Sequence, residues 1–312
     1  MKPREFEGES DFQSPIVTKS PFSTPQQSSS PSSAPAPSSA IRLWKPAAQR
    51  NLRNQWSKLF ALFQDWCSSS SSARSHATSL VNSFLSQKYM NVMDLGVLSD
   101  MPNIRKKACQ KLFKQQELYR SKLLLCYKDM VAIVTRMVNS SRSMRCYLKG
   151  SRTSPLAQFS CSSQNDNDGG DAGGLPVFTF WSIAAFEELA SEVVQMFTSE
   201  LNLKRLLVME LLSISDEKVL QDIELHWSDE FYAGEFDDLR TCNLYSEEAR
   251  EPVFPSLRSS RSSTSSMQSK HQADSDVLQV YLTTWLAEVN IDRCRLDEIF
   301  AIVGEEMHVN LS

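Results

Sequence analysis

Few residues in this 312-residue chain have the types and spacing that catalysis or metal binding requires. Its four histidines, His76, His226, His271 and His308, stand far from one another. Its seven cysteines, at positions 67, 109, 126, 146, 161, 242 and 294, include no C-x2-C pair, and no H-x3-5-H pair accompanies them. Zinc needs several such ligands gathered by short spacings, so a zinc site has no local support. No G-x-S-x-G, no G-x-x-x-x-G-K-S/T and no protein-kinase signature set occurs. Acidic residues are plentiful, but no general acid and base pair stands out, and they read as solvated faces. We expect no catalytic residues, no metal and no cofactor. An odd number of dispersed cysteines argues for reduced thiols in an intracellular protein rather than a disulfide framework.

Modification chemistry is better represented. Ser14, Ser20 and Thr24 each precede a proline in a Ser/Pro-rich tail, as Ser30 does, and are candidates for proline-directed kinases. Ser163-Gln164 has the minimal form that DNA-damage checkpoint kinases recognise. Arg50-Asn51-Leu52 has the R-x-L form of a cyclin-docking motif, but Leu52 belongs to a heptad seam and is expected to be buried.

Charge is segregated. The formal net charge of −4 conceals a segment, 103–152, with 13 basic and 2 acidic residues, followed by 153–251 with 5 basic and 20 acidic. Two readings compete for the basic segment. Its charges could meet the acidic third helix or an acidic partner protein, as flanking charges do in coiled coils. Alternatively Arg105, Lys106, Lys107, Lys111 and Lys114 form a stripe for nucleic-acid phosphates. The first is favoured, because no DNA-reading motif surrounds the stripe and the neighbouring acidic tract repels phosphate.

The elements that carry these residues are helical. Nine glycines in the whole chain are too few for an all-β fold or for the phosphate cradles of nucleotide-binding folds. No run of 18 apolar residues is present, so no membrane span is expected. Residues 1–40 read as a disordered Ser/Pro-rich tail. Residues 41–150 read as a helical hairpin. Leu52, Trp56, Leu59, Phe63 and Trp66 step 4-3-4-3, a seam bulky enough to meet more than one partner helix. Ser68–Ser72 is expected to interrupt it before Ala77, Leu80, Val81 and Phe84 resume. Asp94, Gly96, Asp100 and Pro102 mark a turn. A long helix then runs from about Asn103 to Leu148 on the seam Tyr119, Leu123, Cys126, Met130, Ile133 and Met137, ending at Gly150 and Pro155.

Residues 151–175 read as a flexible linker, and 176–215 as a third helix with Ser182 as N-cap and Glu200 in the core register. Residues 216–275 form an acidic, then Ser/Arg-rich insertion with scattered aromatics (Trp227, Phe231, Tyr232, Phe236), and 276–312 carry two final helices. The expected fold is all-α, with long antiparallel helices in a coiled-coil-like bundle, a disordered N-terminal tail and a long insertion before the C-terminal helices.

Two segments carry a family resemblance. One is Gly174-Leu175-Pro176-Val177-Phe178-Thr179-Phe180-Trp181, followed by Glu200-Leu201-Asn202-Leu203-Lys204-Arg205; the other is Tyr281-Leu282-Thr283-Thr284-Trp285-Leu286. In these the chain resembles the cyclin-dependent kinase 2-interacting protein family, over about residues 45–215 and 276–307. The insertion 216–275 and the extended tail depart from that family's pattern. The resemblance implies a nuclear, and secondarily cytoplasmic, non-enzymatic adaptor. Its implied partners are cyclin-dependent and replication-initiation kinases, a checkpoint kinase complex, replisome components and the subunits of an AAA-type ATPase assembly concerned with replisome turnover and ribosome maturation. Phe178, Trp181 and Trp285 would pack helix ends together, and Lys204 and Arg205 would stand exposed at mid-helix for an acidic partner. From the heptads alone the alternative is a coiled-coil structural subunit of another complex, and from the basic stripe a nucleic-acid binder.

Overall fold

The computed structural model describes residues 39–90, 92–149, 158–161, 169–214, 225–255 and 275–311. The fold is all-α. Helix α1 (Ser39–Met90) and helix α2 (Ile104–Arg142) form an antiparallel hairpin, with a short 3-10 turn at Gly96–Leu98 between them. Helix α3 (Ile183–Leu212) lies antiparallel to α2, since Glu187 near its start pairs with Arg145 and Ile214 beyond its end accepts a bond from Arg120. A seven-residue helix α4 (Glu235–Thr241) follows, then α5 (Ser275–Ala287) and α6 (Arg293–Met307). Two small antiparallel pairs complete it: β1 (Tyr147–Lys149) with β2 (Gln158–Ser160), and β3 (Tyr245–Ser246) with β4 (Glu251–Pro252). Among the described residues, no helix is long and apolar enough to cross a membrane.

The Trp56–Trp66 seam does meet more than one helix. Phe300 of α6 sits edge-on to Trp56 at 6.0 Å and to Phe60 at 5.2 Å, while Phe197 of α3 packs edge-on to Trp66 at 5.3 Å. Leu52, Trp56, Leu59 and Trp66 are fully buried. Burying Leu52 removes the R-x-L docking motif from the surface.

Ser68–Ser72 does not interrupt the helix. Helix α1 runs unbroken for 52 residues, about 78 Å at 1.5 Å per residue. Serine is a weak helix former because its hydroxyl competes for backbone partners. Here tertiary packing overrides that preference. Ser70 is buried and donates to Glu288 at 3.1 Å, and its carbonyl accepts the Trp285 indole N–H at 3.1 Å. Ser70 is the small side chain that lets α5 come close to α1.

Helix α2 ends at Arg142 rather than Leu148. The Asn51 amide donates to the carbonyls of Ser143 and Met144 at 2.8 and 2.9 Å, and the Trp44 indole donates to Cys146 O at 3.0 Å. These side chains satisfy the carbonyls at the end of the helix and draw the chain into β1. Met144, one heptad beyond Met137, is buried but lies outside the helix. The expected terminators Gly150 and Pro155 lie outside the described residues, as do Ser256–Ser269 and residues 1–38 of the tail, whose last two residues belong to α1. Part of the expected linker is ordered: β2 pairs with β1, and Gly170, at φ +68°, lies against the Tyr147 ring while its carbonyl accepts from Cys146 N at 3.0 Å. The third helix begins at Ile183, and its expected cap Ser182 makes no side-chain capping bond. Asp292 does cap α6, accepting from Arg295 N at 3.0 Å. Within the insertion, residues 225–255 carry α4, which packs on α2, and the β3–β4 pair, whose first strand packs on α4.

The end of α6 allows no side chain at position 304. A Cβ on Gly304 would stand 2.8 Å from the Val309 carbonyl, which is held by the Val309 N to Gly304 O bond at 2.9 Å that closes the helix. Gly304→Ala is expected to cost about 1–3 kcal/mol by overpacking, read as a lowered midpoint in urea unfolding with an unchanged slope.

Candidate functional site

Lys204 and Arg205 are neighbours on α3, and both are inside the protein, 0% and 1% exposed. This corrects the expectation that they stand free for an acidic partner: their acidic partners belong to the chain itself. Consecutive helix positions point about 100° apart, so the two cations serve different parts of the fold.

Lys204 faces the C-terminal helices. Its ammonium is 3.0 Å from Glu200 Oε1, donates to Trp285 O at 2.5 Å, and sits 4.5 Å over the Trp285 ring. Glu200 Oε2 accepts from the backbone and side-chain nitrogens of Asn290 at 3.1 and 3.0 Å. The sequence held a signal for this pair, since Glu200 in the core register stands four residues before Lys204. Glu288, in the turn after α5, extends the network by accepting from Trp66 Nε1 at 3.2 Å and pairing with Arg293. Burial lowers the Lys204 pKa from the ordinary lysine value, with the Glu200 carboxylate opposing the shift.

Arg205 faces the insertion. Its guanidinium pairs with Glu235 at 2.9 Å, donates to Trp227 O at 2.8 Å and Asp229 O at 2.7 Å, and lies 4.2 Å from the Phe231 ring centroid. Glu235 is fully buried and also accepts from Tyr127 Oη at 2.6 Å and Phe231 N at 2.7 Å. Two of the aromatics that looked scattered in sequence, Trp227 and Phe231, lie against this cation, while Tyr232 meets Lys128 and Phe236 meets Tyr245. A planar guanidinium with a fork of donors suits such a pocket better than an ammonium does. Nothing in the sequence tied Glu235 or Tyr127 to Arg205.

A fourth carboxylate ties the end of α6 to the lead-in of α3. Glu306 of α6 accepts from the N–H groups of Thr179, Phe180 and Trp181 at 2.9, 2.7 and 2.9 Å. Phe178 and Trp181 pack on Phe186 with centroids 5.7 and 5.3 Å away, and Trp285 is buried against α1 and α3. Phe178 and Trp181 thus sit at the start of α3, whereas Trp285, near the end of α5, meets α1 at Ser70 and α3 at Lys204, both at mid-helix.

The basic stripe is elsewhere. Lys106, Lys107, Lys111 and Lys114 are exposed on α2, and Arg105, half-buried, donates to Met93 O at 2.8 Å. Among the described residues, a single ion pair, Arg145–Glu187, joins the basic segment to α3. Charge matching between α2 and α3 is therefore confined to one end. The phosphorylation candidates Ser14, Ser20, Thr24 and Ser163 lie outside the described residues. Within those residues no group of three or more His, Cys, Asp or Glu side chains could hold a metal ion. In comparison with known proteins, no family model matches the chain and no curated sequence matches it.

Two predictions follow from the buried cations. Removing one partner of a buried pair strands the other charge, so Arg205→Ala is expected to cost about 3–5 kcal/mol. Urea unfolding measures the loss, and limited proteolysis should cut within 225–255 first. The second concerns alkaline pH. Burial first, then Glu235, raises Tyr127 well above 10.0; burial and Asp238 raise Tyr232; burial and Glu210 push Tyr281 up to about 12. A folded pKa above the unfolded value means that the native state holds its proton longer. The tyrosine contribution is therefore whole below pH 10.0 and lost as pH rises beyond it. Lys204, lowered from 10.5, has the opposite sign and offsets part of that loss. The net expectation is falling stability above pH 10.0, with a shallower fall in Tyr127→Phe, measured by urea midpoints across an alkaline series.

Proposed function

We propose that this chain is a non-enzymatic helical adaptor of the nucleus. It links DNA-replication components with cell-cycle and DNA-damage checkpoint kinases, and serves as a subunit of an AAA-type ATPase assembly that supports replisome turnover and ribosome maturation. The support is the resemblance to the cyclin-dependent kinase 2-interacting protein family, together with one structural observation. The segments that carry the resemblance meet in space although an insertion separates them in sequence. Lys204, from the Glu-Leu-x-Leu-Lys-Arg stretch, binds the carbonyl and the ring of Trp285, from the Tyr-Leu-x-x-Trp-Leu stretch. Residues 179–181, the lead-in to α3, are held by Glu306 near the end of α6, the helix that follows the second stretch. Motifs of this kind define a rigid frame, and partner choice is left to its outer surfaces.

The test is recovery of the tagged full-length chain from dividing cells, with quantitative mass spectrometry of what accompanies it. Kinase, replisome or AAA-type ATPase subunits are expected above a tag-only control. Repeated recovery of the folded chain with none of them would defeat the reading.

A further inference from the structure

Helix α2 carries a second heptad seam on its outward face. Lys107, Lys111, Lys114, Leu118, Ser121 and Leu125 step 4-3-4-3-4, and every one of them is exposed. This row lies about 140° around the helix from the buried seam of Leu123 and Met130, at 3.6 residues per turn. Leu118 and Leu125 are 51% and 59% exposed, one heptad apart, and make the spacing of coiled-coil knobs without a partner helix among the described residues. The row runs straight along the axis for about 27 Å.

We propose that this seam docks an acidic amphipathic helix of a partner protein, with its apolar residues on Leu118 and Leu125 and its carboxylates along Lys107, Lys111 and Lys114. The proposal names the partner surface of the adaptor reading and rests on that reading. Three observations select this occupant. The charges on and beside the row are Lys107, Lys111, Lys114 and Lys122 against Glu117, which is already paired with Arg120. A second copy would bring the same surplus of lysines against itself, which like-charge repulsion opposes. Nucleic acid would set phosphates against two exposed leucines, and a flat anionic membrane does not match a row that extends along one helix.

The test uses the full-length chain and fluorescently labelled synthetic four-heptad peptides with Leu at a and d. One carries Glu at e and g, and the control carries Lys there. The Glu peptide is expected to bind, more weakly as salt rises, and the Lys peptide is not. Leu118→Glu with Leu125→Glu, and separately Lys107→Glu with Lys111→Glu and Lys114→Glu, should each weaken binding at least tenfold. Circular dichroism melting should be unchanged in both, because all five side chains are exposed. Equal binding of the two peptides, or unaltered affinity in either variant, would overturn the proposal. So would a dimer, seen by light scattering, that the double leucine variant dissolves, or duplex DNA or phosphatidylserine vesicles occupying the row in place of the peptide. The two readings separate in cells. If the double leucine variant keeps every recovered partner, the seam fails and the adaptor stands. If no replication or checkpoint partner is recovered while the Glu peptide still binds, the adaptor reading fails and the seam stands.

Discussion

Two adjacent cations on α3 hold the rest of the molecule in register. Lys204 binds Glu200 and the Trp285 carbonyl, so it decides where α5 lies. Arg205 binds Glu235 and the carbonyls of Trp227 and Asp229, so it decides where the insertion lies. Both charges have left water, and a buried ion pair gives back little of that desolvation as net stability. What it does supply is selectivity: any other arrangement would leave a charge buried and unpaired. An apolar seam can slip by one heptad at modest loss, but a lysine that must find both a carboxylate and a carbonyl cannot.

That constraint explains features that look unfavourable one at a time. A serine run within a long helix is poor in propensity, yet it gives Trp285 room to reach the backbone of Ser70. The N-terminal lead of α3 has no side-chain cap of its own, and the Glu306 carboxylate from α6 gathers three of its N–H groups instead. In each case a group distant in sequence satisfies a local deficit. The same logic accounts for the acidic insertion, whose Glu235 is spent inside the protein on Arg205 and Tyr127 rather than displayed. Among the described residues, the ion pairs of the basic segment are Arg120 with Glu117 and Arg145 with Glu187. Lys107, Lys111 and Lys114 remain on the surface beside two exposed leucines, a surface suited to another protein.

Periodicity and composition were enough to establish the helices and their core faces. Leu52, Trp56, Leu59 and Trp66, and Leu123, Met130, Ile133 and Met137, are buried where a 4-3 spacing puts them, because that spacing follows from the helix itself. Scarce glycine and the long 4-3 seams were enough for the all-α class. Tertiary structure decided what depends on partners far along the chain: the continuity of α1 through its serines, the end of α2 at Arg142, the ordered part of the insertion, and the burial of Lys204 and Arg205. A charged side chain at mid-helix has the same local signature whether it meets water or a carboxylate 30 residues away, as Arg205 meets Glu235. Only the packed chain, which brings those two together, tells one from the other.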